Sequence, residues 1–302
     1  MKNTLNRTQI NDVIFNGFNG IFMLLLIVVM LYPFLNTVAI SFNDGLDSVK
    51  GGIYLWPRIF SLQSYKAVFF GGAVYHAFFI SVARTVIATV LNIFITTMLS
   101  YALSRREYIL RKFITVIVVL TMYFNAGLIP YYLLYKSLGL RNSFLVYIIP
   151  TMISAFNMVV IRTYIRTLPE SMVESARIDG AGEFRIFLRI IFPLCKPILA
   201  TVALFVAVWQ WNQWFDTFIY NSGVQNLSTM QYELMKLLTS TTSANSNPSL
   251  VGGVGATGAT NLVTPISIRS AITVVAAVPM IIVYPFLQNY FVVGLAVGSI
   301  KE

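Results

Sequence analysis

The sequence predicts an all-α integral membrane protein with about six spanning helices, and three observations carry that expectation. Hydrophobic residues make up 57% of the 302 and charged residues 11%, more apolar surface than a water-soluble fold of this size can bury. Six stretches are long and apolar enough to cross a hydrocarbon core of roughly 30 Å as helices, the form that leaves no backbone group unpaired in lipid. Lys and Arg are also divided unevenly among the segments that join those stretches.

The first stretch runs from about residue 17 to 41, the second from about 74 to 103 and the third from about 113 to 135. The fourth covers about 144 to 165, the fifth about 197 to 220 and the sixth about 268 to 293. A cleaved signal peptide competes for the first, but its polar lead is long and no small-x-small cleavage site follows it. An even number of spans puts both termini on one side. With the N-terminus inside, thirteen of the 21 Lys and Arg fall in inner segments and seven in outer ones. That bias predicts cytoplasmic termini in a multi-pass protein of the cell membrane, with external loops at 42–73 and 221–265.

The same bias accounts for most of the net charge of +10, so no nucleic-acid partner is expected. One cysteine, Cys195, leaves no intrachain disulfide, and with a single histidine, His76, it leaves no ordinary zinc set. Gly253, Gly255 and Gly258 match a dinucleotide-binding pattern by letters alone, in a Gly/Ser/Thr loop with no preceding strand. No G-x-x-x-x-G-K-[ST] run occurs, so ATP is not expected on this chain by a P-loop.

The inner segment 167–196 is longer and less polar than an ordinary connection. Pro169 and Glu170 mark a helix start, and Ser175, Ala176, Gly180, Ala181 and Gly182 leave little side-chain bulk. Phe184, Phe187, Leu188 and Ile191 then form an apolar stripe before Pro193. A short docking helix with an amphipathic return is one reading, and a solvated loop is the other.

The run Glu174-Ser175-Ala176, then Asp179-Gly180-Ala181, then Ile190 and Phe192-Pro193 resembles the EAA motif of binding-protein-dependent ABC import permeases. That motif is written EAA, three residues, G, nine residues, I-x-L-P. Ser175 stands in place of an Ala and Phe192 in place of the Leu. The resemblance implies a single permease domain over residues 1–302 with the type I ABC importer fold, and a coupling helix seated in a groove of a separate ATPase. Glu174 and Asp179 would make polar contacts there, while Ala176 and Gly180 would allow close approach. It also implies no catalytic residue and no cofactor on this chain, with ATP and Mg on the partner. The expected partners are a second permease in a heterodimer, two ATP-binding cassette subunits and an extracytoplasmic sugar-binding protein.

The pieces 99–105 (LSYALSR), Gly127 to Pro130, Leu138 to Leu140 and Trp211-Asn212 resemble the carbohydrate-importing branch, in the position of the maltose-type second permease. The run from Trp209 to Asp216 (WQWNQWFD) is similar to members that import complex oligosaccharides.

Taken as one continuous helix, the fifth span would gather Gln210, Asn212, Gln213, Asp216, Thr217 and Tyr220 on one face, with Trp209 beside them. Polar groups in a span face a watery pathway or bond neighbouring helices. The first alternative makes Trp209, Asn212, Gln213, Asp216 and Tyr220 candidates for the sugar pathway, with Asn125 and Tyr131 in the third span and Asn157 in the fourth. Arg84 is the basic residue well inside a span; pathway contact, snorkelling and a packing pair with Asp216 all remain open for it. A transporter or channel driven by an ion gradient is the rival function, and it leaves the 167–196 segment without work.

Overall fold

The computed structural model describes residues 7–70, 73–246 and 263–299. Among them no strand forms beyond one antiparallel bridge between Asn43 and Phe60. The glycine pattern from Gly253 to Gly258 lies outside the described residues. Two units are distinguished: Met1–Gly71 with Leu237–Val275, and Gly72–Lys236 with Ala276–Glu302.

In the first unit, α1 (Arg7–Ser41) contains the first expected span. From Ile14 to Leu35 it is exposed throughout, as suits a helix solvated by lipid chains rather than by protein. The segment that follows, expected to be an external loop, is more ordered than a loop. Asp44 caps the short α2 (Gly45–Val49), accepting from the backbone nitrogens of Leu46 and Asp47. Buried Asn43 donates to Asp47 Oδ2 at 3.1 Å and to Ser48 Oγ at 3.0 Å, and accepts from the Ile59 nitrogen at 2.9 Å. Arg58 reaches the same Asp47 oxygen at 3.0 Å. The Asn43 hydrogen bond, then Arg58, hold the Asp47 carboxyl below the usual carboxylate range. A third helix, α3 (Gln63–Phe70), completes the segment.

The second unit is organised by α4 (Ala73–Ser104), a 32-residue helix with neither Gly nor Pro inside it. The third expected span is not one helix. It divides into α5 (Arg111–Leu120) and α6 (Leu128–Ser137). Gly127 between them adopts φ +85°, which an L side chain resists, and its nitrogen donates to Asn125 Oδ1 at 2.8 Å. The fourth span is also broken. Two 3-10 turns at Phe144–Tyr147 and Ile149–Thr151 meet α7 (Ala155–Ile165) at 45°. Pro150 removes a donor within that stretch.

The inner segment contains α8 (Ser171–Ile178), α9 (Glu183–Ile186), a π-helical turn at Phe187–Ile191 and the short α10 (Phe192–Leu194). It bends by 80° into α11 (Lys196–Asn212), whose second residue is Pro197. The continuous fifth span ends early: Gln213 is extended at φ −78°, ψ 119°, and Thr217–Asn221 forms a π-helical turn. The single polar face drawn through Tyr220 therefore does not exist, because the 100° step stops at Asn212. The expected external loop holds a 3-10 turn at Gln225–Leu227 and then α12 (Met230–Ser246), and α13 (Pro265–Ser299) contains the sixth expected span.

By length and composition three described helices can cross a membrane, or five if each bent pair is one span; α5 and α6, ten residues each, stand where the third expected span was placed and are each too short to cross alone. One buried core lies beneath the inner segment. Ile161, Ile165, Val173, Ile186, Phe187, Ile191 and Cys195 belong to it, and none is more than 2% exposed.

Candidate functional site

The inner segment presents a short helix on that core. Val173 and Ala176 turn inward, 2% and 8% exposed. Ala176 thus differs from the expectation of contact with a partner: its small side chain lets α8 lie close on the protein's own core. Glu174, Ser175, Asp179 and Gly180 are exposed, Ala181 is half-buried, and Ile178 is 86% exposed. A large aliphatic side chain held in that position is an exposed apolar surface that the small-residue pattern did not point to.

Gly180 ends the helix. At φ +76° it brings its nitrogen to the Arg177 carbonyl at 3.0 Å and the Ala181 nitrogen to the Ala176 carbonyl at 2.9 Å, the paired bonds of a Schellman turn. A Cβ there would meet nothing within 4 Å, so the local need for glycine is conformational.

Five side chains form the clasp between this helix and the end of α4. Arg177 donates to Glu107 Oε1 at 2.6 Å and to Glu183 Oε1 at 2.9 Å. The other Glu183 oxygen accepts from the Tyr101 hydroxyl at 2.6 Å, and Arg105 lies over the Tyr101 ring, 4.9 Å from its centroid. Glu107 and then Glu183 raise the Arg177 guanidinium still further, and Arg177 holds the Glu107 carboxyl below its ordinary range.

The second cluster lies within the apolar helices. Arg84 is 0% exposed and grips Asp216 through both terminal nitrogens, at 3.1 and 2.5 Å. Its Nε donates to Gln210 Oε1 at 3.0 Å and its Nη1 to the Gln213 carbonyl at 3.2 Å. The Tyr147 ring lies 4.5 Å from the guanidinium carbon. Gln210 in turn donates to Thr151 Oγ1 at 2.8 Å. This hub satisfies the backbone where α11 stops, and it draws α4, the 3-10 turns and the broken fifth span to one point.

The remaining candidates separate. Trp209, 49% exposed, borders a cavity of about 380 Å³ with Asn92, Ser154, Asn157 and Gln210. Asn212 is exposed, donating to the Val208 carbonyl at 2.9 Å and accepting from Gln231 at 3.4 Å. Tyr220 stacks on Tyr132 with ring centroids 6.0 Å apart. Tyr131 contacts Tyr135 at 6.0 Å, and Asn125 serves the Gly127 turn. Tyr147 and Asn92 were not legible as site residues; for Asn92 the one signal was a lone amide in an apolar run.

Comparison with known proteins fits this architecture. Residues 93–215 match the family described as binding-protein-dependent transport system inner membrane component. The polygalacturonan/rhamnogalacturonan transport system permease protein YtcP of Bacillus subtilis (strain 168) is 33% identical over 98% of this chain and 99% of its own length. The arabinooligosaccharides transport system permease protein AraQ of the same organism is 27% identical over 93% of this chain and 94% of its own. Among solved structures, a chain of a bacterial ABC transporter involved in the import of the acidic polysaccharide alginate superposes with a TM-score of 0.84 at 29% identity. That match covers 96% of this chain and 100% of the other. An almost wholly helical chain, broken in several apolar spans and related end to end to such permeases, belongs to the family of binding-protein-dependent transport system inner membrane components, the membrane permeases of ABC importers.

Proposed function

We propose that this permease imports an oligosaccharide as one of two unlike membrane subunits that share a pathway. The observation that carries the substrate class is the cavity that places the Asn92 and Asn157 amides and Ser154 beside Trp209; Gln210, also in its lining, already gives both amide atoms to Arg84 and Thr151. Amides exchange hydrogen bonds with sugar hydroxyls, and an indole covers the apolar face of a pyranose. Relatives named for polygalacturonan/rhamnogalacturonan and arabinooligosaccharides support the same class. Arg84 does not read a sugar carboxylate in this scheme, since its charge is spent on Asp216.

Energy enters through α8. Its exposed face of Glu174, Ser175, Ile178, Asp179 and Gly180 docks an ATP-binding cassette subunit, which binds ATP and Mg; this chain holds no cofactor. An extracytoplasmic binding protein delivers the sugar, and both termini lie in the cytoplasm. Closure of the ATPases pulls on α8, and the Arg177–Glu183–Tyr101 clasp passes the displacement to α4 as a rigid-body movement.

The test uses the complete transporter in proteoliposomes with its binding protein, supplied with oligogalacturonides or neutral arabino-oligosaccharides. Asn157→Ala and Trp209→Ala should each abolish most sugar uptake while leaving the assembled complex and its basal ATP hydrolysis intact. Undiminished uptake of every sugar by both variants would overturn the pathway assignment. Uptake that persists without ATP and collapses with the ion gradient would favour a secondary transporter.

A further inference from the structure

Arg105, Arg106, Arg111 and Arg166 converge on a cavity of about 360 Å³ that has a single carboxylate, Glu170, in its lining. We propose that this cavity binds a phosphate-bearing anion, namely the headgroup of an anionic phospholipid of the inner leaflet. The arginines come from separate places in the chain: Arg105 and Arg106 from the turn after α4, Arg111 from the start of α5, and Arg166 from the C-cap of α7. The bias of basic residues toward the cytoplasm explains four arginines at helix ends, but not their convergence on one concave site.

Their bonding state points to a missing counter-ion. Arg58, Arg84 and Arg177 each hold a carboxylate in this structure. Arg106, Arg111 and Arg166 make no ion pair and no side-chain hydrogen bond among the described residues, and Glu170 is paired with none of them. Arg105 leans on the Tyr101 ring and donates to Ser104 Oγ at 3.2 Å. Like charges brought together without partners repel, and a phosphate matches the guanidinium fork while neutralising several at once.

The setting favours a lipid as the source of that phosphate. Ser104 closes an apolar run of 31 residues and Arg111 opens α5, so the cavity lies where hydrocarbon gives way to headgroups. Beside it, Phe113, Val116 and Ile117 of α5 are exposed at 65%, 56% and 44%, which offers acyl chains a surface. Pro169, Glu170 and Val173, at the start of the coupling helix, also line it. A headgroup seated there bridges the membrane helices and the element that receives the ATPase.

The experiment compares the whole transporter with an Arg111→Gln/Arg166→Gln double variant, with Arg106→Gln as a milder second variant and with Lys112→Gln as an equal loss of charge outside the cavity. Native mass spectrometry counts phosphatidylglycerol and phosphatidylcholine retained from nanodiscs of each lipid, and a thermal-shift titration with inorganic phosphate is run in phosphatidylcholine. The wild type should retain phosphatidylglycerol selectively, roughly fivefold less for each cavity arginine removed, with Lys112→Gln unchanged. If the double variant does not assemble, the Arg106→Gln and wild-type arms decide. A phosphate-dependent shift in the wild type, absent from the variants and without lipid selectivity, would support the anion site and assign it a soluble source. Equal lipid retention in wild type and cavity variants together with no phosphate response would overturn the proposal.

Discussion

The Tyr101 hydroxyl donates to Glu183 at 2.6 Å, joining the C-terminal end of α4, the longest helix of its unit, to the segment that follows α8. Glu183 also receives Arg177, so one carboxylate holds α4 and α8 together.

Removing either half of that contact should loosen coupling without preventing insertion. Tyr101→Phe should cost about 0.5–1.5 kcal/mol of local stability, and Glu183→Gln somewhat more because it also lets go of Arg177. In proteoliposomes the expected signature is ATP hydrolysis that continues while sugar moved per ATP falls. Unchanged stoichiometry in both variants would remove the clasp from the transmission path.

The Arg84–Asp216 pair should behave as one unit. Asp216→Asn leaves a buried guanidinium without its counter-charge, a loss of about 3–5 kcal/mol, and Arg84→Gln strands the carboxylate. Each should lower the Tm of the assembled complex, and the double variant should be no worse than the harsher single. Additive losses would show that the two residues act independently.

At Gly180 the test is conformational. Gly180→Ala adds a Cβ at φ +76° and should cost about 1–2 kcal/mol, whereas Gly180→Asn, which tolerates the left-handed region, should cost less. ATPase subunits retained on affinity purification should follow the order glycine, asparagine, alanine. An alanine variant that retains them fully would mean that the Schellman turn is not needed for docking.

The contact between Arg177 and Glu107 should carry a pH signature. The Glu107 carboxyl sits below its ordinary value in the folded chain, so its contribution is complete above the unfolded value of about 4.3 and fades as pH falls through the depressed one. Both side chains are partly exposed, and screening keeps the effect small. The difference in hydrogen-exchange protection of α8 between wild type and Glu107→Gln should be constant from about pH 8 to 5 and vanish in stronger acid. A difference that persists there would assign the protection to other contacts.

Hydrophobic run length made the apolar helices legible, and the spacing from Glu174 to Pro193 marked the segment that contains α8 to α10 as a unit. The breaks were not. Run length registers how apolar a segment is but not where its backbone stops repeating, so the third span hid the turn at Gly127 and the fifth hid the extended Gln213. Arg84 and Asp216 were open as partners, yet Gln210 and Tyr147 joined them through contacts made across distant elements, which no local periodicity encodes. Ala176 turned inward for a related reason: small residues suit both a partner's approach and close packing on one's own core.

Cys195 is fully enclosed in the core beneath α8, and it is the chain's one thiol. The native protein is therefore nearly silent toward water-soluble maleimides, and single-cysteine reporters need no prior removal of the native residue. A probe at Ser175 should react only from the cytoplasmic side and one at Asn245 only from outside, each against a dark background.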